Sequence, residues 1–306
     1  MPRPFPRALS GLHEIASEYD AFLVDLWGVV HDGNQPFSGV VDALHALSSA
    51  GRRVVFLTNT SRTGTLSGEM LTQMRIGQGL YETVISSGDI TREALRTRDP
   101  ALFALRPAEP RCVHLGDPSF VPWLFELGLS FVDDVDDTGA GDTGDAGLAR
   151  ADLVIATGIP GDRDASLTRT RERLAPVAAR GVPLVCTNPD RVIPRATGFT
   201  LGPGAIAAAY EELGGRVFLY GKPHAPIYAA ARRHLGELDA ARIVAIGDLL
   251  ETDVRGARDA GIASVLVTGT GGHAQTLGPA PTRGDLEALF TASGIAPDML
   301  LPRFTW

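Results

Sequence analysis

Short apolar runs recur along the chain, each ending in polar residues, and longer segments with apolar positions every three or four residues separate them. The first run, AFLVDLWGVVHDG at residues 21–33, reads as a buried strand that delivers Asp25 into a glycine-containing turn. A lone buried carboxylate is costly unless a cation or hydrogen bonds compensate it, so Asp25 reads as a site residue rather than a solvated charge. Three further runs repeat the arrangement. VVFLTNTSR brings Thr58 and Asn59, VFLYGKP brings Lys222, and IVAIGDLLETD brings Asp248 and Asp253. Between them, residues 38–50 have helical spacing and stop at Gly51, and residues 62–80, 89–98, 160–181, 202–215 and 225–236 predict further helices.

Strands alternating with helices predict an α/β fold with a mainly parallel, doubly wound sheet. The regularity weakens from Asp99 through DPALFALRPAEP and resumes near Arg216, which predicts a core at residues 1–100 and 216–306 interrupted by an α/β module at 101–215. Within the module, RCVHLGDPS, ADLVIATG and PLVCTNPD each read as a strand followed by a turn. VDDVDDTGAGDTGDAG, residues 132–147, lacks the closing glutamate and flanking helices of a calcium-binding loop and is read as an acidic loop. Gly269 to His273, GTGGH, are read as a mobile loop at the mouth of the site.

In open parallel sheets the ligand site lies beyond the carboxyl ends of the strands, so one site collects the four polar clusters. Acids, a hydroxyl, an amide and a lysine together suit a phosphate and a hard divalent cation. Singly, each residue has a plainer explanation. Asp248, Thr58 and Asn59 could cap helices, Lys222 could be a surface charge, Trp27 could be a packing residue, and His31 and Asp32 could be ordinary turn residues. It is their joint placement at strand ends that points to chemistry.

With these motifs, their order, the long insertion and TNPD at Thr187–Asp190, the chain resembles the haloacid dehalogenase (HAD) superfamily. Within it, the chain is most similar to the class IIA subclass of p-nitrophenyl phosphatases and sugar- and nucleotide-phosphate phosphatases. The resemblance spans nearly the whole length. It implies a Rossmann-like core with a large inserted α/β cap, and an Asp25 that attacks phosphorus to give an aspartyl-phosphate. It also implies Mg²⁺ held by Asp25, the backbone carbonyl of Trp27 and Asp248, with Asp253 ordering the metal's water shell. Thr58 and Asn59 would contact the phosphoryl group, Lys222 would balance its charge, and Asp190 and Arg191 of the cap are candidates for contacting the substrate. The implied partner is a small phosphorylated metabolite, and the cap could serve as a homodimer contact.

One position departs from the pattern. The phosphatases of this superfamily read aspartate, any residue, aspartate, and the second carboxylate protonates the leaving oxygen and later activates water. Here that position is Trp27, whose N–H donates a hydrogen bond but cannot shuttle a proton near neutral pH. Losing a general acid typically lowers a rate by about 10²–10⁴-fold. Either His31 or Asp32 takes over, or the leaving group needs no proton, or the site no longer turns over. The alternatives to a phosphatase are therefore a metal- and phosphate-binding regulatory protein and a hydrolase that cleaves carbon–halogen or carbon–phosphorus bonds.

Composition narrows the partners. A formal charge of −8 with no basic cluster argues against nucleic acid, and two cysteines indicate neither a disulfide framework nor a cysteine metal cage. No apolar run approaches the roughly 20 residues a membrane helix needs, and MPRPFPRALS lacks a signal peptide's apolar core, so a cytoplasmic location is expected.

Overall fold

The computed structural model describes residues 4–104, 107–132, 145–158, 163–195, 198–236 and 238–306. The acidic stretch 133–144, and with it the calcium-loop question, lies outside the described residues. Fourteen strands are β1 (Arg7–Ala8), β2 (Ala21–Asp25), β3 (Arg53–Thr58), β4 (Thr83–Ser86), β5 (Arg111–Leu115), β6 (Ser130–Phe131), β7 (Leu153–Ala156), β8 (Leu184–Cys186), β9 (Val192–Arg195), β10 (Gly198–Leu201), β11 (Val217–Leu219), β12 (Ile243–Gly247), β13 (Ala263–Val267) and β14 (Met299–Leu301). The chain forms two compact units.

The first unit comprises residues 1–58, 64–85 and 222–306. Its sheet runs β1-β14-β13-β12-β2-β3-β4, and the pairings from β1 through β3 are all parallel. The alternation of side chains explains the sequence pattern. Phe22 and Val24, Val54 and Phe56, Val244 and Ile246, and Val265 and Val267 all enter one apolar cluster with Leu44, Leu47 and Leu71 of the covering helices. The intervening residues Leu23, Val55 and Leu57 are buried as well. A parallel sheet covered on both faces needs continuous apolar runs instead of alternating ones, and these strands have them. This is the doubly wound α/β arrangement that the strand–helix alternation predicts.

The second unit comprises residues 59–63 and 86–221. It has its own parallel sheet, β11-β8-β7-β5-β6, and the antiparallel pair β9–β10. One face buries Val113, Leu115, Val154, Ala156 and Leu184, and the other buries Cys112, Leu153, Ile155 and Val185 with Trp123 and Tyr220. The three strand segments read from RCVHLGDPS, ADLVIATG and PLVCTNPD are all present. VFLYGKP differs from its expected place in the core. Val217 and Leu219 pair with Leu184 and Cys186, so β11 is an edge of the second sheet and the first unit resumes only at Lys222. An apolar strand carries no mark in its own residues of which sheet it completes. Among the described residues, no helix is long and apolar enough to cross a membrane.

Candidate active site

The central strands of the first sheet converge on one cluster. Asp25 is the last residue of β2, opposite Leu57 of β3, so the next residue of β3, Thr58, also sits at a carboxyl end and is buried. Asp248 directly follows β12, which pairs with β2 on its other side. Asp253 lies in a single π-turn, Leu250–Val254, ahead of the helix Arg255–Asp259. π-turns are rare and concentrate at functional sites. Here the turn folds Asp253 back so that its Oδ2 accepts from the Leu249 N–H at 3.2 Å.

Asp25, Asp248 and Asp253 each bring an oxygen within 4.8 Å of the others. Lys222 reaches into this group: its Nζ donates to Asp25 Oδ1 at 2.6 Å and to Asp253 Oδ1 at 2.7 Å, with the lysine only 4% exposed. Burial alone would lower the lysine's proton affinity, but the two carboxylates outweigh it and hold the ammonium well above its ordinary pKa. Asp248 moves the other way for a carboxylate. It is 2% exposed, and burial together with the Asp25 and Asp253 charges raises its pKa well above the usual range, against the opposing hydrogen bond from Gly272 N at 2.5 Å.

Two buried carboxylates, Asp248 and Asp253, and the less buried Asp25 gather around the Lys222 ammonium. An all-oxygen donor set of this kind fits a hard divalent cation such as Mg²⁺. Two glycines make the crowding possible. A Cβ at Gly28 (φ +84°) or Gly271 (φ +77°) would run into the Asp248 carboxylate, and both backbones adopt the left-handed region.

Gly271 and Gly272 belong to the stretch read from sequence as a mobile loop. They instead start the helix Gly271–Leu277. Gly272 N–H holds Asp248, and His273 Nε2 accepts from the Leu250 N–H at 3.1 Å. Sequence reasoning missed this, although a glycine pair four and five residues past a strand end is the kind of signal that marks close backbone approach.

The turn after Asp25 closes on itself. Gly28 N–H donates to the His31 carbonyl, Val30 and His31 N–H donate to Leu26, and Asp32 N–H donates to the Gln35 carbonyl. Trp27 is half-buried in this turn and forms a bridge with His31. Among the described residues its indole nitrogen has no hydrogen-bond partner. His31 is buried. Its Nδ1 accepts the Gly33 N–H at 3.0 Å, so the neutral ring carries its proton on Nε2, which is enclosed without a partner. Burial pushes its pKa down to about 4. Asp32 is exposed, and its Oδ1 accepts from the N–H groups of Asn34 and Gln35, which hold its pKa below the usual range.

Asn59 and Asp190 belong to the second unit, where the Asn59 amide donates to Asp190 Oδ1 at 2.8 Å. Arg191 is exposed at the start of the β9–β10 hairpin. The structure thus gathers Asp25, Lys222, Asp248 and Asp253 into one cluster and Asn59 with Asp190 into another.

The chain is similar to known proteins over most of its length. Residues 22–130 match a family profile described as haloacid dehalogenase-like hydrolase, and residues 219–289 match a HAD-hydrolase-like profile. Human chronophin is 30% identical over 84% of this chain and 83% of its own length. Human glycerol-3-phosphate phosphatase is 27% identical over 95% of this chain and 88% of its own length. A haloacid dehalogenase-like hydrolase from Brucella suis 1330 superposes with a TM-score of 0.76 at 27% identity, covering 97% of this chain and all of that one. With the motifs in order at the strand ends and relatives matching across both units, the chain belongs to the haloacid dehalogenase-like hydrolases.

Proposed function

We propose that this chain is a Mg²⁺-dependent phosphohydrolase that moves the phosphoryl group of a small phosphorylated metabolite onto Asp25. The observation that carries the reading is Lys222 bridging Asp25 and Asp253 beside Asp248, a lysine-bridged carboxylate cluster at the carboxyl end of a parallel sheet. Relatives that are named phosphatases, a human glycerol-3-phosphate phosphatase and a Staphylococcus aureus acid sugar phosphatase, support the same class of reaction.

Each residue of the chain has a task in this scheme. The Asp25 carboxylate, held by the Lys222 hydrogen bond, attacks phosphorus. The Lys222 ammonium offsets charge shared by nucleophile and phosphoryl oxygens, and Thr58 at the adjacent strand end offers a hydroxyl to the phosphoryl group. Asp248 and Asp253, with Asp25 and the Trp27 carbonyl, would hold Mg²⁺, which when bound neutralises phosphate charge as a Lewis acid. Asn59 and Asp190 in the second unit, with Arg191 next to Asp190 in sequence, are the residues we assign to substrate selection. Trp27 leaves the leaving oxygen without a proton donor, so activity is biased to esters whose alcohol leaves as a stable anion.

The test is phosphate release from an aryl phosphate and from a panel of sugar and nucleotide monophosphates, with and without Mg²⁺, beside Asp25→Asn. Loss of turnover in Asp25→Asn and in chelator is expected, with aryl above alkyl substrates. Equal rates on aryl and alkyl phosphates would remove the proposed role of Trp27, and turnover untouched by Asp25→Asn would remove the nucleophile.

A further inference from the structure

We propose that Trp27 separates the two halves of the reaction in time, so that with an activated phosphoryl donor the chain accumulates as the Asp25 aspartyl-phosphate. The inference rests on the phosphohydrolase reading and adds to it the substrate class, acyl and aryl phosphates, and the state in which the protein resides.

In the first half-reaction an Asp25 carboxylate oxygen bonds to phosphorus while the bond from phosphorus to the donor oxygen breaks. The donor's group departs with the electron pair as a phenolate or carboxylate. Such anions are stable near neutral pH, so no proton is required and the missing acid matters little. An alkoxide leaving group has no such stability, and with it this step stalls.

In the second half-reaction a water oxygen bonds to phosphorus, the bond to the Asp25 oxygen breaks, and the carboxylate is regenerated. The water must shed a proton as it attacks, here to a phosphoryl oxygen or to bulk solvent for want of a side-chain base, and this holds whatever donor was used. The burden of the missing acid–base group therefore falls wholly on the second step for activated donors, by about 10²–10⁴-fold.

The geometry of the turn shows why no neighbour there fills the gap. The Asp32 carboxylate is engaged by the Asn34 and Gln35 N–H groups of its own turn. The proton of the His31 ring sits on the enclosed Nε2, because Nδ1 is occupied by the Gly33 N–H. Gly33 itself, at φ +101°, lies against the indole, where an added Cβ would come within 3.7 Å of Trp27 Nε1. The turn is pinned by hydrogen bonds among residues 26–37, so swinging another acid into the Trp27 position would break several at once. Of the acids gathered at the strand ends, Asp25 and Asp253 are engaged by Lys222, and Asp248 is held by Gly272 N–H. What remains at position 27 is an indole N–H, a donor able to hydrogen-bond a departing anion without protonating it.

The experiment is rapid mixing of the full chain with Mg²⁺ and p-nitrophenyl phosphate or acetyl phosphate, followed by acid quench and intact-mass measurement, with peptide mapping of any added phosphoryl group. Expected is a burst of p-nitrophenolate approaching one per chain, followed by a steady state at least about 100-fold slower. A matching phosphoryl adduct should map to Asp25, and glycerol phosphate should give no burst. Trp27→Asp is expected to abolish the burst and the adduct while raising steady turnover. If that variant does not fold, the ratio of burst to steady rate in the natural chain decides alone. Turnover that needs Asp25 but shows neither burst nor adduct would overturn this inference and leave the phosphohydrolase reading intact. An absence of adduct together with turnover indifferent to Asp25→Asn, or no turnover at all, would overturn both.

Discussion

Replacing Lys222 by methionine removes the ammonium that bridges Asp25 and Asp253 while keeping most of the side-chain volume. In the natural chain the Nζ makes hydrogen bonds of 2.6 and 2.7 Å to two separate acids, at sites where water screens little. Removing one partner of a buried ion pair typically costs about 3–5 kcal/mol, because the remaining charge is stranded. Here the ammonium bridges two acids, so a loss within that range is expected without metal. At about 2–4 °C per kcal/mol for domains of some 150–250 residues, the melting temperature in chelator should fall by about 6–20 °C. The same substitution raises the net negative charge of the cluster, so added Mg²⁺ should restore more stability to the variant than it adds to the natural chain. Thermal denaturation followed by circular dichroism in EDTA and in Mg²⁺ reads both effects. A loss below about 1 kcal/mol in chelator, or an Mg²⁺ response no larger than that of the natural chain, would refute the account of Lys222 as the internal counter-charge of the acids.

Other consequences are as direct. Gly271→Ala places a Cβ into the Asp248 carboxylate at a backbone conformation that alanine resists, and titration calorimetry should show Mg²⁺ affinity reduced at least about tenfold, with the fold retained by circular dichroism. His114, whose Nε2 lies 2.7 Å from Thr157 Oγ1 in the second unit, has its pKa lowered by burial to about 4. The unfolded chain therefore binds more protons between about pH 6.5 and 4, and the stability this histidine contributes is full above pH 6.5 and is lost as pH falls through 4. Discounting for its partial exposure, the loss is about 1–3 kcal/mol, and His114→Gln should flatten the decline in melting temperature over that window without abolishing it, since buried His31 titrates in the same direction.

Much of this protein was legible in its sequence because the relevant signals are local. Continuous apolar runs mark strands buried on both faces, and Asp25, Thr58 and Asp248 betray themselves by standing where such runs end. The helix over residues 38–50 follows from spacing, and the structure places it at Val40–Ser49. The substitution at Trp27 is visible only by comparing the motif with the family's pattern, and its consequence is chemical instead of conformational.

Tertiary structure decided what depends on partners distant in the chain. Lys222 meets Asp25 across 197 residues, and nothing local to VFLYGKP says that this lysine is an internal counter-ion rather than a surface charge. Edge strand β11 joined the second sheet through pairing with β8, a partner choice that hydrophobicity does not encode. GTGGH reads as flexible because glycine and threonine carry no packing signal, yet the absence of side chains is what lets Gly271 and Gly272 approach Asp248. The fate of His31 and Asp32 likewise required the fold. Which nitrogen holds the proton and which N–H groups engage the carboxylate are set by the closed turn of residues 26–37. Sequence by itself determined which residues are buried and which stand at strand ends, since burial follows from periodicity. The structure decided which of those residues face one another, since that is fixed only when the whole sheet closes.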